Sequence, residues 1–200
     1  MRQITERAFA AHFSGDATEA VLLFREAQQA DSNCVLCVWG EAVALAPSVL
    51  AADRAGDTLA AAAATARAAA RLARRPRDAS MQRFVDALIV RHFGPPGTRA
   101  ARDTAYAMQM ALLANAHPES TALQLLAADA MWLAARAAPE MAVTPGRPSL
   151  QALARERLEG ALTSSPARAV ACRMAHAADS LAASWMRRHC FKRARADRAW

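Results

Sequence analysis

The chain has 200 residues, of which 54% are hydrophobic, enough to bury a sizeable core and too apolar for a disordered chain. Its apolar residues are mostly Ala and Leu, aromatics are only 6%, and runs of Val, Ile, Thr and Tyr are missing, so the composition excludes a β-rich protein and points to an all-α fold. The formal charge is +7, but six basic residues against Asp197 place +5 in the last fourteen positions; the remaining +2 argues against a nucleic-acid partner for the body of the chain.

In chain order, the first predicted helix runs from Gln3 to Phe13 and breaks at Ser14-Gly15. Asp16 and Glu19 have the three-residue spacing of a capping box, opening a second helix with Ala20, Leu23, Phe24 and Ala27 on one stripe. A third spans Asn33 to Ala46, before Pro47. Asp57-Thr58 starts a fourth, ended by Pro76; a fifth covers Ser80 to Phe93 and stops at Gly94-Pro95-Pro96-Gly97. Arg99 to Ala116 makes a sixth. A seventh has Pro118 near its first turn and reaches Ala138, an eighth runs from Pro148 to Ser164, and Pro166 opens a ninth through Ala178. The expected organisation is one helical domain over 1–184 and a basic, frayed or disordered tail over 185–200.

Alternate helices share a register. Ala20, Phe24, Ala27 and Ser32 align with Ala64, Ala68, Arg71 and Pro76, with Tyr106, Met110, Leu113 and Pro118, and with Ala154, Leu158, Ala161 and Pro166. Three of the four end in proline, and the mix of small and large side chains before the break suits helix hairpins that pack closely. The separations of 44, 42 and 48 residues exceed the tetratricopeptide unit of about 34, so longer helices or loops are expected.

The run Ala20-x3-Phe24-x2-Ala27 followed by Asp31 resembles the second helix of a tetratricopeptide repeat. DSNCVLCVWGEAVALAPS, with Trp39 and Gly40 at its centre, is similar to the D-P-x-C-A-M-C-x-W-G-x-A-x-A-x-G-P-N stretch of a family of large bacterial tetratricopeptide proteins. Thr144-Pro145-Gly146-Arg147-Pro148 is similar to that family's W-T-P-D-G-R-P loop, and Cys172 to Ala177 to its H-L-Y-I-H-A. Ser32 stands where the family has proline, Ala46 where it has glycine and Cys172 where it has histidine, and the chain stops where the family continues, as in a shortened or diverged member. The resemblance implies a right-handed α-solenoid of four to five stacked hairpins, with a protein or peptide segment bound in its concave groove. An uncapped repeat end would also allow homo-oligomers.

Four cysteines, too few and too unevenly spread for a disulfide framework, imply no bridge. Cys34 and Cys37 have the spacing of a redox couple or half a metal site, and also of two small residues packed at a helix start. Cys172 and His176, four apart on one helix face, suit zinc or copper; with the first pair they would make a Cys3His set, against which stands plain helix packing. His12, His92, His117 and His189 lack a recurring carboxylate or serine partner, and His92 and His117 are expected to face the terminal carbonyls at helix ends. Asp86, Asp103, Glu119 and Asp129 form no visible pair. Trp39 and Trp132 are expected in the core, as are Met108, Met110, Met131 and Met141. The run Arg67, Arg71, Arg74, Arg75, Arg77 reads as a solvated helix face or, less simply, an attractor of acidic peptide.

The expected function is therefore a non-catalytic interaction scaffold, without cofactor or enzymatic activity. The competing expectation is a metal-handling or thiol-redox accessory protein using Cys34/Cys37, Cys172/His176, or both. MRQITERAF lacks the apolar run of a signal peptide, and arginines interrupt the Ala-rich segment short of spanning length, so no membrane association is expected. The expected location is the cytoplasm, or the periplasm if the N-terminus is truncated.

Overall fold

The computed structural model describes residues 1–51, 56–74, 79–137, 148–161 and 170–174. Among them are eight α-helices and no strand: α1 Arg2–Phe13, α2 Ala17–Ala30, α3 Val35–Leu45, α4 Thr58–Leu72, α5 Ala79–Phe93, α6 Arg99–Ala116, α7 Thr121–Ala137 and α8 Leu150–Ala161. A single 3-10 turn at Val49–Ala51 follows α3. Each helix packs chiefly on its sequence neighbours. Residues 170–174 are also helical, within the span expected for a ninth helix; Pro166 and the tail 185–200 lie outside the described residues.

Local chemistry sets most boundaries. Asp16, Asp57 and Thr98 each cap a helix by accepting the N–H three residues on, at 2.9, 2.9 and 3.1 Å. Two prolines act differently from expectation. Pro118 precedes a turn outside α7, whose start is set by Ser120 Oγ accepting the Leu123 N–H at 3.4 Å; Pro148 likewise precedes Ser149, which caps α8 through the Ala152 N–H at 3.1 Å. Gly15 ends the first hairpin turn at φ +84°, where a Cβ would sit 2.9 Å from the Leu50 carbonyl oxygen.

The aligned positions of α2, α4, α6 and α8 are buried: Ala20, Phe24 and Ala27; Ala64 and Ala68; Tyr106, Met110 and Leu113; Ala154, Leu158 and Ala161. Arg71 is the departure, turned toward the start of α3, where Nη1 donates to the Cys34 carbonyl at 3.2 Å. Trp39, Trp132, Met110 and Met131 are core residues as expected, whereas Met108 is 56% exposed. Met141 lies outside the described residues.

Two helices have almost no outward face. From Cys37 to Leu45 every residue of α3 is buried, and α7 is buried continuously from Leu125 to Trp132. A helix apolar all round has to be surrounded. Around α3, Trp39 donates its indole N–H to the Phe84 carbonyl at 2.8 Å and meets that ring edge-on, while Phe9 and Phe24 pack edge-to-face at 5.0 Å. Gly40 is what lets α2 lie this close, since a Cβ there would overlap the Phe24 ring. Glu41, with its side chain 1% exposed, is the one charge on this stretch and is neutralised by Arg25 and Arg67, each at 2.8 Å.

Two contacts tie distant parts of the chain. Asp129 of α7 accepts the Val49 N–H at 2.7 Å and the Ser48 hydroxyl at 2.9 Å, and Arg173 donates to the Phe13 carbonyl at the end of α1 at 2.7 Å. A quasi-one-dimensional array joins only neighbours; here a segment near the far end of the described chain returns to the first helix.

Gly40→Ala should destabilise the protein by about 1–3 kcal/mol, because the Phe24 ring has to leave its packed position. Gly97→Ala, whose new methyl meets only the Pro95 carbonyl oxygen, at 3.9 Å, among the described residues, should be nearly neutral. Equilibrium urea unfolding of the two variants measures the difference.

Candidate functional site

The turn into α3 is built by side chains. Asp31 accepts the Asn33 N–H at 2.9 Å, and its carbonyl accepts the Cys34 N–H at 3.1 Å, so the chain doubles back with Cys34 at the N-cap. The Cys34 sulfur accepts the Cys37 N–H at 3.1 Å and is joined to Cys37 in a disulfide, the two Cα atoms being 5.4 Å apart. That separation lies in the ordinary disulfide range. Cys37 is wholly buried, with Thr5 Oγ1 3.8 Å from its sulfur, whereas Cys34 is only half-buried.

This corrects the expectation that no bridge forms. Bridges do form: Cys34 with Cys37, and Cys172 is disulfide-bonded as well. Spacing alone missed them because two cysteines one helical turn apart also suit simple packing. Bonded to each other, Cys34 and Cys37 offer no thiolate ligands in this state. Among the described residues no group of three His, Cys, Asp or Glu is placed to hold a metal ion; His176 lies outside them.

Two members of the arginine run also bond to α3 while keeping contact with solvent: the Arg67 side chain is 47% exposed and Arg71 is partly buried. Arg71 reaches the Cys34 carbonyl, and Arg67 reaches Glu41. Arg75 and Arg77 lie outside the described residues. Burial pushes the Glu41 carboxyl up, but hydrogen bonds from Gln28, Arg25 and Arg67 outweigh it and hold the group below its ordinary value. The cluster joins α2, α3 and α4 directly behind the disulfide turn.

A second feature is a cleft of about 690 Å³ between the end of α6, the start of α7 and α8. Ala114, Pro118, Leu153 and Ala161 give it apolar walls; Asn115, Gln124, Glu156 and Arg157 supply polar groups. Arg157 donates to Gln124 Oε1 at 2.6 Å and to Asn115 Oδ1 at 2.7 Å, both neutral acceptors. Gln124 is itself fixed by donating to the Ala114 carbonyl at 2.7 Å. Burial pulls the guanidinium below its ordinary range, and neighbouring Glu156 opposes the shift.

A third cluster is internal. Arg91, 4% exposed, pairs with Asp103 at 3.0 Å and stacks its guanidinium over the Tyr106 ring at 4.6 Å; Arg99 holds the other Asp103 oxygen at 2.9 Å. Burial pushes the Tyr106 phenol up to about 12 and the Asp129 carboxyl up to about 6, the latter against its bonds from Val49 and Ser48. The cluster fastens α5, α6 and α7 to the turn after α3. Asp103 and Asp129, which showed no pairing in the sequence, thus share the field of Arg91.

The histidines depart from expectation too. His92 is not a cation facing terminal carbonyls: burial, with Arg91 nearby, lowers it to about 4 and leaves Nε2 without a hydrogen bond. His117 does occupy the C-cap of α6, but its Nδ1 lies 3.5 Å from Glu119 Oε1. His12 is buried at the end of α1 and is lowered to about 4 by desolvation.

No protein-family model, no curated protein and no solved structure matches this chain. The tetratricopeptide resemblance therefore stands on the quoted residues alone. No described helix is long and apolar enough to cross a membrane.

These groups give acid sensitivity a definite sign. His12 takes a proton near 6.5 when unfolded but near 4 when folded, so acidification through that window favours unfolding by about 3 kcal/mol, and His92 acts in the same direction. Asp129 opposes them: its raised value contributes stability that is full below about 4 and lost as pH rises to about 6. Stability should fall between pH 6.5 and 4, His12→Gln should flatten the fall and Asp129→Asn should steepen it. Urea midpoints across this range provide the measurement.

Proposed function

We propose that this chain is a non-catalytic interaction scaffold: an array of four helix hairpins, wound tightly enough for its end to meet its start, that holds a protein or peptide segment. The register shared by α2, α4, α6 and α8, and the burial of those positions, support the array. Because α3 and α7 are enclosed, the reading places the bound segment in the cleft between α6 and α8 rather than along a continuous inner face.

The cleft is the observation that carries this reading. Its volume accommodates several side chains, and its apolar walls beside a fixed Arg157 suit an apolar residue next to an acidic one or a chain-terminal carboxylate. The guanidinium is oriented by two amides that do not neutralise it. Such a group is already positioned before a ligand arrives, which lowers the ordering cost of binding.

The disulfides bear on location. Cytosolic thiols are generally kept reduced, so a chain bridged at Cys34–Cys37 and again at Cys172 fits an oxidising compartment better than the cytoplasm expected from its N-terminal residues.

Gly160→Trp tests the cleft, since among the described residues a Cβ at Gly160 meets no atom within 4 Å and a large side chain there should fill the space without disturbing the fold. In quantitative affinity capture with the intact chain, a partner should be retained by the wild type, lost by Gly160→Trp and kept by Leu59→Ser, a change at a side chain 85% exposed. Equal retention by Gly160→Trp, or no partner retained by the wild type, would contradict the proposal.

A further inference from the structure

We propose a further activity, independent of the α6–α8 cleft: Cys34–Cys37 is an exchange-competent disulfide that oxidises a dithiol, with Cys34 the sulfur attacked by the incoming thiolate. Three features of the turn into α3 support it. The two cysteines differ in access: Cys34 is half-buried on the turn while Cys37 is wholly buried beneath it. An incoming thiolate therefore meets Cys34 first.

The second feature is stabilisation of the sulfur that must finally be released. Cys34 Sγ already accepts the Cys37 N–H at 3.1 Å at the start of an eleven-residue helix, so charge developing on this sulfur meets a fixed donor and the positive end of the peptide dipoles. The third is local positive charge: Arg71 Nη1 lies 3.2 Å from the Cys34 carbonyl. Glu41 behind the turn is already committed to Arg25, Arg67 and Gln28. A disulfide serving only as a brace has no need of this asymmetry.

The chemistry balances as a two-electron exchange. One substrate thiolate attacks Cys34 Sγ, forming a mixed disulfide and breaking the Cys34–Cys37 bond; Cys37 leaves with the electron pair and takes up a proton near Thr5. The second substrate thiolate then attacks its own partner sulfur, forming the substrate disulfide and expelling Cys34 as a thiolate that is subsequently protonated. The substrate loses two electrons and two protons, and the protein gains both as a Cys34/Cys37 dithiol. A low-molecular-weight disulfide such as oxidised glutathione reverses the protein half.

The test uses the folded 200-residue chain in glutathione buffers of graded redox ratio, with acid quenching, alkylation and mass spectrometry of the tryptic peptide 26–54, which separates this pair from Cys172. The wild-type pair should equilibrate with the buffer without denaturant, and catalytic amounts should speed oxidation of a dithiol peptide by oxidised glutathione. Cys37→Ser should take up one glutathione at Cys34, and Cys34→Ser should react about tenfold more slowly or less, because its remaining sulfur is buried. Reduction of the wild type only under unfolding conditions, no acceleration of dithiol oxidation, or equal labelling of the two variants would overturn the proposal. The wild-type measurements decide the matter even if either variant folds poorly.

Discussion

Enclosure of α3 is the constraint from which the rest of the structure follows. A helix surrounded by neighbours has to admit a ring at one point, neutralise any charge it carries and satisfy the groups at its ends. Gly40 meets the first demand by leaving room for Phe24, and Glu41 meets the second through Arg25, Arg67 and Gln28. At its start the Cys34 sulfur takes up the Cys37 N–H, and past its end the Ser48-Val49 turn is held by Asp129. Removing one partner of a buried charge costs more than the pair contributes in isolation, so these ties favour one arrangement over slipped alternatives.

The polar ties also link regions that hydrophobic packing alone would leave independent. Nearest-neighbour hairpins can open at either end. Arg91 connects α5 to Asp103 and Tyr106 on α6 and reaches the Pro47 carbonyl at 3.4 Å, while Arg173 connects residues 170–174 to α1. These contacts join α5 to α6 and the turn after α3, and residues 170–174 to α1.

The sequence made helix content, most helix boundaries and the burial of the aligned apolar positions legible, because caps, glycines and apolar spacing act over three or four residues. It was a poorer guide where two local signals compete: Pro118 and Pro148 look like first-turn residues, yet Ser120 and Ser149, two positions and one position on, set the helix starts. It could not reveal pairs brought together by the fold. Glu41 finds Arg25 and Arg67 at separations of 16 and 26 residues, Arg157 finds Gln124 and Asn115 at 33 and 42, and Asp129 finds Val49 at 80. The cysteine motif was visible; its bonding and the unequal burial of its sulfurs depended on how α1 covers the start of α3.

The proposed scaffold and the proposed exchange chemistry both require α3 to remain a fixed platform, which native-state hydrogen exchange on the oxidised 200-residue chain tests most directly. The account predicts that amides of residues 39–45 exchange only through global unfolding and rank with α7 as the slowest in the molecule. Exchange of those amides through a local opening, at a free energy as low as that of the α1 amides, would contradict it.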